Sequence, residues 1–118
     1  MGRRLDKISN QLVKEISDLI HNELTDPRIG FVTITHAEVS PDLSHARIFF
    51  TVLGREKEKK SSYYGLKSAA GYIRHALMER LKLKRIPEIE FVYDDSVDKG
   101  MKIYEKIIEV QKKERKDE

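Results

Sequence analysis

Leu5, Ile8, Leu12, Ile16, Leu19 and Ile20 recur at intervals of three and four, the spacing that lines up one apolar stripe on an α-helix. The pattern predicts a helix over about residues 4–24, ended by Thr25-Asp26-Pro27, because proline disfavours the helical region for the residue before it. Gly30 completes a turn, and the period then falls to two. Over residues 31–39, Val32 and Ile34 face one way and Thr33 and Thr35 the other; over 44–53, Ala46, Ile48, Phe50 and Val52 share a face. The turn chemistry of Ser40-Pro41-Asp42-Leu43 joins these two runs into an antiparallel hairpin.

Helical spacing returns over residues 55–83. Tyr63, Leu66, Ala70, Ile73, Leu77 and Leu81 supply an apolar face behind an all-charged start at 56–60. Gly65 and Gly71 each weaken a helix by about 1 kcal/mol relative to alanine, so two helices meeting at a bend near residues 69–71 are expected. Arg85-Ile86-Pro87 closes this region. Residues 88–93 alternate again, with Ile89, Phe91 and Tyr93 inward, and Asp94-Asp95-Ser96 offers acceptors for a helix start. Met101, Tyr104, Ile107 and Ile108 then build a last helix. The order α-β-β-α-bend-α-β plus a C-terminal helix is an α+β domain, a three-stranded sheet packed on helices. That domain takes residues 1–111; every residue of 112–118 is charged, the composition of a frayed or disordered tail.

Composition removes whole classes of chemistry. With no cysteine in 118 residues, disulfides, thiolate metal sites and a cysteine nucleophile are excluded. No apolar run is longer than residues 48–53 and charge begins at Arg3, so neither a signal peptide nor a spanning helix is expected, and the protein is placed in the cytoplasm with no membrane partner. His21, His36, His45 and His75 are scattered without ligand spacing, Ser61, Ser62 and Ser68 lack an adjacent base, and Asp94, Asp95 and Asp98 suit helix capping and loop solvation. Neither a metal, a cofactor nor an enzymatic activity is expected.

Charge carries the functional reading. Ten lysines and arginines against three acids fall within residues 54–86, a net of +7, while the other 85 residues sum to −4. A concentrated positive field attracts a polyanion, and nucleic acid is the commonest in a cell. In the middle of this stretch Lys67, Ser68, Ala69, Ala70 and Gly71 thin the side chains before Arg74. Small residues at a bend would let a phosphate backbone approach the amides that open the second helix; otherwise they let two helices pack closely. Arg80, Lys82, Lys84 and Arg85 extend the basic surface, although cations also favour a helix C-terminus for its dipole. Arg3, Arg4 and Lys7 sit at a helix start, where cations oppose the dipole and point to an external anion. Tyr63, Tyr64 and Tyr72 are candidates for base stacking.

These segments together resemble the ribosome-binding factor A family of bacterial small-subunit assembly factors. The resemblance covers roughly residues 3–109. It rests on the runs 25–35, 39–44, 46–52, 69–74 and 86–96, which begin with Thr25-Asp26-Pro27-Arg28-Ile29-Gly30 and include Val39-Ser40-Pro41-Asp42-Leu43-Ser44 and Ala69-Ala70-Gly71-Tyr72-Ile73-Arg74. It implies a type II KH-like fold in which an Ala-x-Gly bend, matched by Ala69-Ala70-Gly71, replaces the Gly-x-x-Gly loop of ordinary KH domains. It further implies a monomer that binds the small (30S) ribosomal subunit and its 16S rRNA late in maturation. Such a factor supports rRNA 5′-end processing and growth in the cold, is released by a GTPase, and catalyses nothing itself. Two readings compete with it. The last helix could serve a protein-interaction module, which requires Met101, Tyr104, Ile107 and Ile108 to be partly exposed. A metal-dependent hydrolase would require Asp94, Asp95 and Asp98 to converge.

Overall fold

The first helix, α1 (Gly2–Asn22), buries Ile8, Leu12, Ile16, Leu19 and Ile20 of the stripe read from its spacing, and leaves Leu5 partly exposed. A computed structural model describes residues 2–116 of the chain, and α1 is followed in it by β1 (Val32–Val39), β2 (His45–Val52), α2 (Glu56–Arg80), β3 (Glu88–Tyr93) and α3 (Ser96–Lys116). The sheet order is β1-β2-β3, with β1 antiparallel to β2 and β3 parallel to it. A parallel neighbour needs a long crossover, and α2 supplies it. Helices α1 and α2 cover one face of the sheet, where Ala46, Ile48, Phe50 and Val52 of β2 are all buried. The Phe50 ring is the hub of this layer: Phe91 and Tyr93 approach it edge-on, and Tyr63 of α2 lies nearly parallel to it at 6.5 Å.

Strand β1 departs from simple alternation. Its register against β2 skips between Ile34 and His36, a bulge that reverses the inward parity. Val32 and Ile34 point into the core before it; Ala37 and Val39 do so after it. At the hairpin, Asp42 accepts hydrogen bonds from the Ser44 amide (3.1 Å) and from the hydroxyls of Ser44 (2.7 Å) and Ser40 (2.8 Å). These donors, led by Ser44, hold its carboxyl at a pKa of about 2. The tight turn places Leu43 at φ 59°, a left-handed conformation that is unfavourable for a branched side chain.

Helix α2 corrects an expectation. It is one unbroken α-helix through residues 69–71, so no second helix begins there and the amides of that segment are used within the helix. The two glycines have different surroundings. A Cβ on Gly65 would lie 2.6 Å from Ile29 Cγ1, whereas one on Gly71 would meet nothing within 4 Å. Gly65 therefore lets the loop at 26–30 lie directly on α2. Two serines fasten that loop: Ser61 Oγ donates to the Arg28 carbonyl (2.9 Å), and buried Ser62 Oγ accepts from the Gly30 amide (3.1 Å).

Helix α3 continues to Lys116, so residues 112–116 are helical where a frayed tail was expected; Asp117 and Glu118 lie outside the described residues. Among the described residues, the helix has no extensive contact with α1, α2 or the sheet beyond its root. Ile103, Tyr104, Ile107 and Val110 are all at least half exposed along it, and the molecule is accordingly 66 Å long and 19 Å thin. Its root is tied by Asp98, whose Oδ2 accepts from Lys59 Nζ (3.0 Å) and from the Tyr93 hydroxyl (2.9 Å).

Candidate nucleic-acid interface

The basic stretch becomes two clusters. A 25-residue helix at 1.5 Å per residue separates its ends by about 36 Å. Arg55, Lys57, Lys59 and Lys60 thus stand at one end of α2, while Lys82, Lys84 and Arg85 follow the other. The contiguous positive run seen in the sequence is not a single patch.

At the far end the chain gathers further charge. Arg4 and Leu5 of α1 line a cavity of about 390 Å³ with Pro41, Asp42 and Leu43 of the hairpin turn. The positive charge of Arg85 also acts on Asp42, and the Glu88 amide donates to the Ser44 carbonyl at 2.9 Å, bringing the 81–87 loop to the same place. Arg4 and Arg85 therefore both lie near the turn, with exposed Lys82 and Lys84 on the adjoining loop. Arg3 and Lys7 stand together on the solvent side of α1, lining a groove with Asn10, Gln11 and Lys14.

Along the middle of α2, Lys67, Ser68 and Gly71 are exposed, whereas Ala69 and Ala70 are partly buried against the core. The segment divides between the two readings given to it: the alanines serve packing, and Gly71 leaves bare helix facing solvent.

Two arginines have internal duties. Arg80 is three-quarters buried and holds two carboxylates of α1, Glu15 (3.1 Å) and Asp18 (2.8 Å), and that of Glu23 just beyond its end. These partners, Asp18 first, raise its pKa further, and Arg80 in turn lowers that of Asp18. In this structure Arg80 clamps α2 to α1, so its charge, expected on an RNA-facing surface, is largely occupied within the fold. Tyr72 joins the same seam, its hydroxyl donating to Glu23 at 3.0 Å. Arg74 donates to the Ile86 carbonyl (3.1 Å) just before buried Pro87, which positions the loop carrying Lys82, Lys84 and Arg85 while leaving Arg74 exposed at its edge.

The three aspartates take separate partners. Asp94 accepts from the Ser96 amide (3.0 Å) and Thr35 Oγ1 (2.8 Å), contacts led by Ser96 that hold its pKa at about 2. Asp95 pairs with Lys99, and Asp98 is the latch at the root of α3. Among the described residues no group of three or more histidines or carboxylates could hold a metal ion, and no helix is long and apolar enough to cross a membrane. Sequence reasoning missed the cleft between the first turns of α2 and the root of α3, where Tyr63, Tyr64 and Tyr93 meet four lysines. Only the adjacent Tyr63 and Tyr64 signalled it; Tyr93 and the α3 lysines arrive through the fold.

Comparisons with known proteins agree with this architecture. The family model described as ribosome-binding factor A matches residues 4–107. The chain is 47% identical to ribosome-binding factor A of Halothermothrix orenii, over 98% of this chain and 94% of that one, and 43% identical to that of Staphylococcus saprophyticus, over 97% and 100%. A solution structure from Thermotoga maritima, a putative ribosome-binding factor A, superposes with a TM-score of 0.71 at 28% identity, covering 81% of this chain and 92% of that one. A homology model of the Thermus thermophilus factor, as fitted into a cryo-electron-microscopy map of its 30S complex, gives 0.65 at 23% identity over 77% and 96%. An α+β domain with this element order, matched by the family model over nearly its whole length, makes the chain a member of the ribosome-binding factor A family.

Proposed function

We propose that the protein binds the small (30S) ribosomal subunit and its 16S rRNA during late maturation and supports rRNA 5′-end processing and growth in the cold. It acts as a cytoplasmic, non-catalytic monomer that a GTPase releases. The observation that carries this reading is the family membership over almost the entire chain; a Thermus relative was fitted into a map of its 30S complex. The RNA-facing surface consists of Arg4, Lys82, Lys84 and Arg85 around the hairpin turn, Arg3 and Lys7 along α1, and Lys67, Ser68 and Gly71 on the outer side of α2, with Arg74 at the edge. Cations neutralise phosphates there, and Gly71 lets the RNA backbone come near. Ala69 and Ala70 contribute by setting the packing beneath.

The test is a triple reversal, Arg4→Glu, Lys84→Glu and Arg85→Glu, measured by co-sedimentation with small subunits across a salt series. If about five phosphates are neutralised, affinity of the unaltered protein falls several-hundred-fold between 50 and 200 mM salt. The triple variant binds weakly and with a shallower salt slope. Undiminished binding at the same thermal midpoint defeats this surface.

The exposed stripe of α3 favours a second contact. Of the four residues that the protein-interaction reading required to be partly exposed, Met101, Tyr104 and Ile107 are at least half exposed and Ile108 is intermediate. Truncation after Gly100 that leaves binding to a nuclease-treated extract unchanged disposes of that contact.

A further inference from the structure

The cleft between α2 and the root of α3 has features that phosphate neutralisation does not need. It encloses about 530 Å³, within the range of small-ligand sites. Its floor is aromatic and rigid: Tyr63 and Tyr93 both pack on the core ring of Phe50. Tyr64 stands beside Tyr63, ring centroids 5.5 Å apart, and is 57% exposed at the rim. Lys59 lies 5.1 Å from the centre of the Tyr93 ring and is neutralised by Asp98, and Lys99 by Asp95. Among the described residues Lys60 and Lys102 line the same cleft with no salt bridge to a carboxylate, although the charge of Lys102 also acts on Asp98, one turn away.

We infer that this cleft receives one unstacked nucleotide of a single-stranded RNA segment, its base on Tyr64 and its phosphate between Lys60 and Lys102. This rests on the RNA-binding reading and adds a contact that reads an exposed base. Every base has a π-face, and stacking on an aromatic side chain needs the base free of its helix. An acidic peptide fits less well, because Glu56, Asp95 and Asp98 in the lining would repel it. One nucleotide brings a single phosphate charge and an uncharged base, and Lys60 and Lys102, which make no salt bridge among the described residues, meet that charge.

The experiment is NMR titration of the full isotope-labelled chain with single-stranded hexa-adenylate, an abasic hexamer of equal charge, adenosine monophosphate and an acidic hexapeptide. Hexa-adenylate shifts the amides of Lys60, Tyr64 and Lys102, and the abasic hexamer binds at least several-fold more weakly. Tyr64→Leu keeps the fold, as its thermal midpoint shows, and weakens hexa-adenylate binding roughly tenfold. Silence of those amides at millimolar hexa-adenylate, equal binding of the abasic hexamer, or unchanged affinity in Tyr64→Leu overturns the inference. Equal or tighter binding of the mononucleotide or the peptide overturns it by giving the cleft another occupant. Co-sedimentation with small subunits is run in parallel. If the unaltered protein sediments while the cleft stays silent, only the cleft assignment falls; if it fails to sediment, the RNA reading falls with it.

Discussion

Gly71→Ala separates two uses of one glycine. The residue lies inside a continuous helix and is not at positive φ, and an added Cβ would have open space around it. Alanine there removes the backbone entropy penalty of glycine, worth about 1 kcal/mol in an exposed helix interior. For a domain of this size that raises the thermal midpoint by about 4 °C. Gly65→Ala is the control: its Cβ falls 2.6 Å from Ile29 Cγ1 and 3.3 Å from Arg28 Cβ, so the loop must move and stability drops by about 1–3 kcal/mol. If the RNA backbone packs against bare helix at residue 71, the same methyl that stabilises the fold obstructs the complex, weakening subunit binding roughly tenfold. Circular dichroism melting and co-sedimentation of the same preparation read both effects. A lowered midpoint in Gly71→Ala refutes the open, continuous helix; a raised midpoint with unchanged binding refutes close RNA approach and leaves glycine there without a functional reason.

Further outcomes follow from individual contacts. Arg80→Met leaves Glu15, Asp18 and Glu23 clustered without their cation and lowers the thermal midpoint; restoring much of that loss with added salt would identify carboxylate repulsion as its cause. Ser62→Ala strands the Gly30 amide under the docked loop and costs about 1–2 kcal/mol in urea unfolding, whereas an unchanged midpoint would show that solvent replaces the hydroxyl. Asp42 and Asp94 have folded pKa values of about 2, below their unfolded values. Their stabilisation is therefore full above about pH 4 and is lost as pH falls toward 2. Asp94→Asn should flatten the acid limb of urea midpoints measured from pH 5 to 2, and an unaltered limb would assign it elsewhere.

Local pattern was sufficient for much of the architecture. The stripe of α1, the inward set Ala46, Ile48, Phe50 and Val52, and the alternation of Ile89, Phe91 and Tyr93 follow from periods of 3.6 and 2, because those periods fix which side chains share a face. The bulge after Ile34 was not legible, since Thr35 and His36 read as ordinary strand residues and only pairing with β2 exposes the extra one. The bend at residues 69–71 was expected from glycine propensity, but burial of Leu66, Ile73 and Leu77 on either side keeps α2 continuous; packing outweighs a penalty of about 1 kcal/mol.

The charged surface shows the same division. That the chain carries a dense basic run, lacks thiol chemistry and belongs to the ribosome-binding factor A family was present in the order of its residues. Which cations are available was not. Arg80 and Lys59 look like their neighbours in the sequence, yet one is held by three carboxylates, Glu15, Asp18 and Glu23, and the other by Asp98. Those partners lie 39 to 65 residues away along the chain. Only the packing of helices against the sheet brings them within hydrogen-bond reach, so the fold decides which charges remain for a ligand.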